Sequence, residues 1–123
     1  MEVILDTNFI VACVRDRIDF IDQLKELGFK ITVPREVSQE LKDIRDGGRV
    51  RRDGKAVIET ALEIVNSKDV KNIRIGGKSV DAGLIAKGKE GVYIGTLDKE
   101  IKRNVPNRVV VLKAKKRVSV ERD

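Results

Sequence analysis

The chain opens on an unbroken apolar run, Val3-Ile4-Leu5, that stops on three polar side chains, Asp6-Thr7-Asn8, before apolar residues resume from Phe9 to Val14. Such a run predicts a strand covered on both faces, as in the middle of a parallel sheet. Residues 8 to 14 predict a short helix. After the polar break Arg15-Asp16-Arg17, the apolar positions Ile18, Ile21, Leu24 and Leu27 recur at helical spacing, and Gly28 stands where a glycine closes a helix. Lys30-Ile31-Thr32-Val33 predicts a second strand, stopped by Pro34, a residue that suits the first turn of a helix. Val37, Leu41 and Ile44 form the apolar stripe of that helix, which the pattern carries to about Arg45.

Residues 45 to 55 break the periodicity with three glycines, five cations and two acids, and predict an exposed basic loop. Ile58, Leu62 and Val65 mark a helix over 56 to 65. Asp69 to Ile75 is a weak strand candidate, and Gly76-Gly77-Lys78 a turn too short to be a phosphate loop. Ser79 to Lys87 reads as a helix capped by Ser79, Gly91 to Gly95 as a buried strand, and 99 to 103 as a short helix. A turn over 104 to 107, a strand over Arg108 to Leu112 and an edge strand at Val118-Ser119-Val120 complete the chain. Strands alternating with helices throughout predict an α/β fold with a mainly parallel sheet. A length of 123 residues predicts a single domain, 1–123.

Composition narrows the chemistry. With 41% apolar and 37% charged residues the chain is globular, and no apolar run is long enough to span a bilayer. Met1 leads straight into the first strand, leaving no room for a signal peptide and predicting a cytoplasmic protein with no membrane partner. One cysteine and no histidine exclude an internal disulfide, Cys/His zinc sites, histidine general bases and Ser-His triads. Carboxylates, lysines, Tyr93 and hydroxyls remain. The formal charge of +6 is localised: residues 99 to 123 hold nine Lys/Arg against three acids, and residues 1 to 98 hold seventeen of each. A confined basic excess favours a polyanionic partner such as nucleic acid, against the plainer reading of a solvated surface. With three Phe and one Tyr, base stacking cannot dominate recognition, so phosphate contacts must.

The acids are placed more pointedly. Asp6 ends the first strand and Asp98 follows the strand at 92 to 94, so parallel pairing of these strands would put both at the carboxyl edge of the sheet, where α/β folds bind ligands. Asp81 opens a helix just before that second strand. Glu40 flanks the buried stripe of its helix, with Glu36 and Asp43 as competing acids on the same helix. Asp6 alone could equally be a helix N-cap. Carboxylates gathered at one point repel unless protonated or neutralised, and a divalent cation is the usual answer. Hard oxygen ligands suit Mg²⁺ or Mn²⁺, which can activate water and shield phosphate charge.

Four segments in order carry a resemblance over nearly the whole chain: Leu5-Asp6-Thr7-Asn8-Phe9; Val33-Pro34-Arg35-Glu36-Val37 running into Glu40-Leu41; Asp81-Ala82-Gly83-Leu84-Ile85-Ala86; and Gly95-Thr96-Leu97-Asp98-Lys99-Glu100-Ile101. Together they resemble the PIN-domain family of metal-dependent ribonucleases. The resemblance implies a three-layer α/β/α fold around a mainly parallel sheet, with an acidic cluster at Asp6, Glu40, Asp81 and Asp98 supported by Asn8 and Thr96. It implies Mg²⁺ or Mn²⁺ as cofactor and endonucleolytic hydrolysis of RNA. The ending Val109 to Glu121 and the basic loop at 45 to 55 are similar to single-domain archaeal PIN proteins, themselves similar to eukaryotic nucleases that cut pre-ribosomal RNA. Two positions depart from the pattern: Val80 stands where relatives often carry a second acid, and Leu97 where an Asn is usual.

The reading that follows is a metal-dependent endoribonuclease acting on a ribosomal RNA precursor, with Arg49, Arg51, Arg52, Lys99, Lys102 and Arg103 gripping the RNA backbone. A homodimer is compatible with it. A toxin of a toxin-antitoxin pair, of similar length, and a non-cleaving RNA-binding assembly factor are the alternatives. A receiver domain would need a second acid beside Asp6, and a P-loop enzyme a glycine-rich Lys-Ser/Thr motif; neither is present.

Overall fold

The computed structural model describes residues 1–123. In chain order the elements are β1 (Glu2–Leu5), α1 (Thr7–Arg15), α2 (Phe20–Glu26), β2 (Lys30–Pro34), α3 (Arg35–Asp46), α4 (Arg52–Val65), β3 (Val70–Ile73), α5 (Val80–Lys89), β4 (Tyr93–Gly95), α6 (Lys99–Asn104), β5 (Asn107–Leu112), a single 3-10 turn (Lys113–Lys115) and β6 (Arg117–Arg122). The six strands form one sheet in the order β3-β2-β1-β4-β5-β6. Every neighbouring pair is parallel except β5 with β6.

β1 sits inside the sheet, and Val3, Ile4 and Leu5 are wholly buried because alternate side chains enter different layers. Val3 and Leu5 join the larger core with Phe9, Ile10, Leu41 and Leu62 from α1, α3 and α4. Ile4 and its register partner Ile94 join Leu84 from α5 and Ile101 from α6 in a smaller core on the other face. Helices therefore cover both faces, which is the three-layer α/β/α architecture. No helix is long and apolar enough to cross a membrane.

The structure shifts several predicted boundaries. Asp19 rather than Ile18 opens α2, its carboxylate accepting the Asp22 N–H at 3.3 Å. The weak strand near 69 to 75 is a true edge strand paired with β2 in four positions; pairing, not its polar composition, holds it. The predicted loop of 45 to 55 is mostly helix: α3 runs to Asp46 and α4 begins at Arg52, leaving only 47 to 51 as connection. No residue from 45 to 57 is buried, so the tips of the two helices and their connection form an exposed basic arm.

Candidate active site

β1 and β4 are parallel neighbours with Leu5 opposite Gly95, and the ladder continues one step further as the Asp6 N–H donates to the Gly95 carbonyl at 2.8 Å. That places Asp6 beside Thr96 at the carboxyl edge. Gly95 leaves room there for Leu5, since a Cβ would stand 2.6 Å from Leu5 Cδ2 and the leucine would have to shift. Asp6 is both an N-cap and a site residue: Oδ1 accepts the Thr7 N–H at 2.9 Å while Oδ2 accepts the Thr96 hydroxyl at 2.9 Å. Thr96 Oγ1 in turn accepts the Asp98 N–H at 3.1 Å. Asn8 Oδ1 accepts the Leu97 N–H at 3.0 Å and lies 3.3 Å from Thr96 Oγ1. Asn8 and Thr96 thus hold the turn between β4 and α6 against the start of α1.

Glu40 reaches the same edge from α3 by accepting the Thr7 hydroxyl at 2.9 Å. The two competing acids of α3 are employed elsewhere: Asp43 accepts from Gln39 at 2.9 Å, and Glu36 accepts backbone N–H groups of Ile75 and Gly76. Asp81 occupies the first turn of α5 behind the Ser79 cap, whose hydroxyl accepts the Ala82 N–H at 3.1 Å. Asp98 caps α6, one carboxylate oxygen accepting the Glu100 and Ile101 N–H groups at 2.8 and 3.3 Å.

Asp6 is only 7% exposed. Burial pushes its carboxyl above the usual range, its bonds to Thr96 and Thr7 pull it back, and the charges of Asp81 and Glu40 push it further up. Seven ion pairs exist in the chain, and none includes Asp6, Glu40, Asp81 or Asp98. The four acids do not form a closed cage: no three of them are gathered tightly enough to hold a metal by themselves. An all-oxygen donor set of this kind suits a hard divalent cation that keeps several waters.

A family model described as a PIN like domain matches residues 3–117. The chain belongs to the PIN-like domain family. Ribonuclease VapC9 of Archaeoglobus fulgidus is 32% identical to it over 96% of this chain and 87% of its own length. The structure of the PIN domain endonuclease Utp24 matches with a TM-score of 0.76 at 22% identity, covering 99% of this chain and 92% of that one, a likeness of fold.

In this PIN-like domain the two departures from the family pattern have plain structural consequences. Leu97 is exposed and contributes only its backbone N–H to Asn8, so Asp98 keeps its partners without a polar side chain at 97. Val80 is half-buried against both cores, leaving Asp81 as the acid that the α5 start presents. The candidate cations divide into two groups. Arg49, Arg51 and Arg52 lie at the arm tip, beyond the end of α3, which itself runs about 9 Å past Glu40 at 1.5 Å per residue. Lys99, Lys102 and Arg103 line a cleft of about 490 Å³ with Arg108, Glu121 and Asp123. Arg108 is committed there, donating to Asp123 at 2.7 Å and to the Val105 carbonyl at 2.7 Å. The sequence gives little sign of Thr7 as the Glu40 partner, because the contact joins residues 33 positions apart.

Proposed function

We propose that the chain is a Mg²⁺- or Mn²⁺-dependent endoribonuclease that hydrolyses RNA phosphodiester bonds to leave 5′-phosphate and 3′-hydroxyl ends. The observation that carries this reading is a buried Asp6, pressed by two further carboxylates and offset by no cation of the protein. Asp6, Glu40, Asp81 and Asp98 would hold the ion directly or through water. Held there, a divalent ion would supply Lewis acidity for activating water and positive charge facing the scissile phosphate. Thr96 orients the Asp6 carboxylate and the backbone at Asp98; Asn8 fixes the turn between them; Thr7 steadies Glu40. Arg49, Arg51, Arg52, Lys99, Lys102 and Arg103 bind the RNA backbone on either side.

A ribosomal RNA precursor is the substrate class we assign, supported by the likeness of residues 109 to 121 and of the basic segment 45 to 55 to single-domain archaeal PIN proteins, which are themselves similar to pre-ribosomal RNA nucleases. A toxin of a toxin-antitoxin pair is the second reading, favoured by the match in sequence and length to Ribonuclease VapC9. A small antitoxin encoded beside this chain, able to relieve growth arrest, would decide for the toxin.

Cleavage and binding of one structured RNA should be measured side by side in Mn²⁺ and in a chelator. Asp6→Asn and Asp98→Asn should each reduce cleavage by at least about a hundred-fold, the scale of losing an electrostatic group in the transition state, while the protein stays folded and RNA-bound. Cleavage that persists in chelator would sink the metal mechanism, and binding without cleavage in Mn²⁺ would favour the assembly-factor alternative.

A further inference from the structure

We infer that Glu36 is a positioning residue for Asp81: its carboxylate clamps the loop that leads into α5 and so fixes the turn carrying Asp81 relative to the helix carrying Glu40. The inference rests on the metal-site reading above. Both Glu36 oxygens are engaged, Oε1 with the Ile75 N–H at 3.2 Å and Oε2 with the Gly76 N–H at 3.3 Å. The loop they grip lies between β3 and α5 and has no ladder of its own. Gly76 and Gly77 take φ of +70° and +83° there, and successive backbone N–H groups in such a turn form a concavity for an anion. Glu36 supplies that anion from within the chain. Burial pushes its carboxyl up, but the amides it faces and nearby Arg74 hold it below the usual range.

The clamped residues bear directly on α5. A Cβ at Gly83 would stand 2.7 Å from Ile75 Cγ1 and 3.0 Å from the Gly76 carbonyl, so the loop, through the Ile75 side chain and the Gly76 backbone, packs directly on the helix backbone at Gly83. Asp81 lies two residues before Gly83, in the first turn of α5. Glu36 lies one helical turn before Glu40 on α3. A physical line therefore runs from α3 through Glu36, the Ile75 and Gly76 amides and Gly83 to Asp81. Ile75 also packs against the smaller core, which anchors the loop without the carboxylate and leaves Glu36 to set its orientation.

The test uses the full chain, with Mn²⁺ alone as the titrant and hydrogen exchange at the Ile75 and Gly76 amides as a second readout. Glu36→Ala should keep the fold, speed exchange at both amides at least ten-fold, and weaken Mn²⁺ binding by about ten-fold, the lower end for loss of a group that orients a metal ligand. Glu36→Gln, which keeps one accepting oxygen, should fall between. Gly83→Ala, which pushes the loop away from the other side, should weaken Mn²⁺ binding in the same direction. In an Asp81→Ala background Glu36→Ala should have no further effect on Mn²⁺, because the two act through one path. Wild-type Mn²⁺ affinity in Glu36→Ala, or an equal loss with and without Asp81, overturns the positioning role. A wild-type protein that binds no Mn²⁺ overturns the metal reading and the coupling to Asp81 together, whereas accelerated exchange in Glu36→Ala would still establish the clamp.

Discussion

Asp6 does two things that oppose each other. Its carboxylate caps α1 and receives the Thr96 hydroxyl, which helps the fold, yet it is buried beside Asp81 and Glu40, which does not. The sign of the effect on stability follows. Its folded carboxyl titrates above the ordinary value of 3.8, so across that window the folded state holds a proton that the unfolded chain has released. Stability from this group is present below the ordinary value and is lost as pH rises through the raised folded value. Asp6→Asn removes the penalty and keeps an oxygen for the Thr7 N–H, while the Thr96 hydroxyl can turn to Asn8 Oδ1, 3.3 Å away. In chelator at pH 7 this variant should melt at a higher temperature than the wild type, with the gap closing below about pH 4. A lower melting temperature at pH 7 would show that Asp6 is a structural cap first.

Among the elements, two glycines decide how closely neighbours approach. Gly95 lets β4 end directly against Leu5, and Gly88 lets α5 lie on the segment that follows α6. A Cβ at Gly88 would be 2.2 Å from Val105 Cγ1 and 3.2 Å from Ile94 Cγ1. Gly88→Ala should therefore lower the urea unfolding free energy by about 1–3 kcal/mol, the usual cost of overpacking, although alanine favours the helix by about 1 kcal/mol. Adding Val105→Ala should recover part of the loss, since the two side chains compete for one volume; no recovery would place the cost elsewhere.

Over the whole molecule, charge is arranged in separate zones. Asp6 stands at the carboxyl edge of β1, within reach of the charges of Asp81 and Glu40, the arm carries Arg49, Arg51 and Arg52, and the α6 cleft carries Lys99, Lys102 and Arg103. If the arm holds RNA phosphates, Arg49→Gln/Arg51→Gln/Arg52→Gln should weaken binding at low salt. It should also flatten the slope of log affinity against log salt by about 2 for a single strand, near 0.7 per lost contact. An unchanged slope would assign the arm to another partner. The fold should be unaffected, because no side chain of the tip is buried.

The sequence by itself determined β1, β2, β4 and β5, because each carries a short, mostly apolar run bounded by turn or charged residues; in β1 that run is unbroken and wholly buried from Val3 to Leu5. It also placed Asp6 and Asp98 after strands, since position is a local property, but by period alone it left Glu40 in competition with Glu36 and Asp43 on the same helix. Only the tertiary structure decided the rest. β3 has a polar sequence and exists by pairing with β2; the basic loop shortened because α3 and α4 pack on each other and extend into it. The partners of the acids, Thr7 for Glu40, Thr96 for Asp6 and the Ile75 and Gly76 amides for Glu36, lie 33 to 90 positions apart in the chain. Contacts over such separations leave no periodic trace in the sequence, because they are set by which strands lie side by side and how helices cross them.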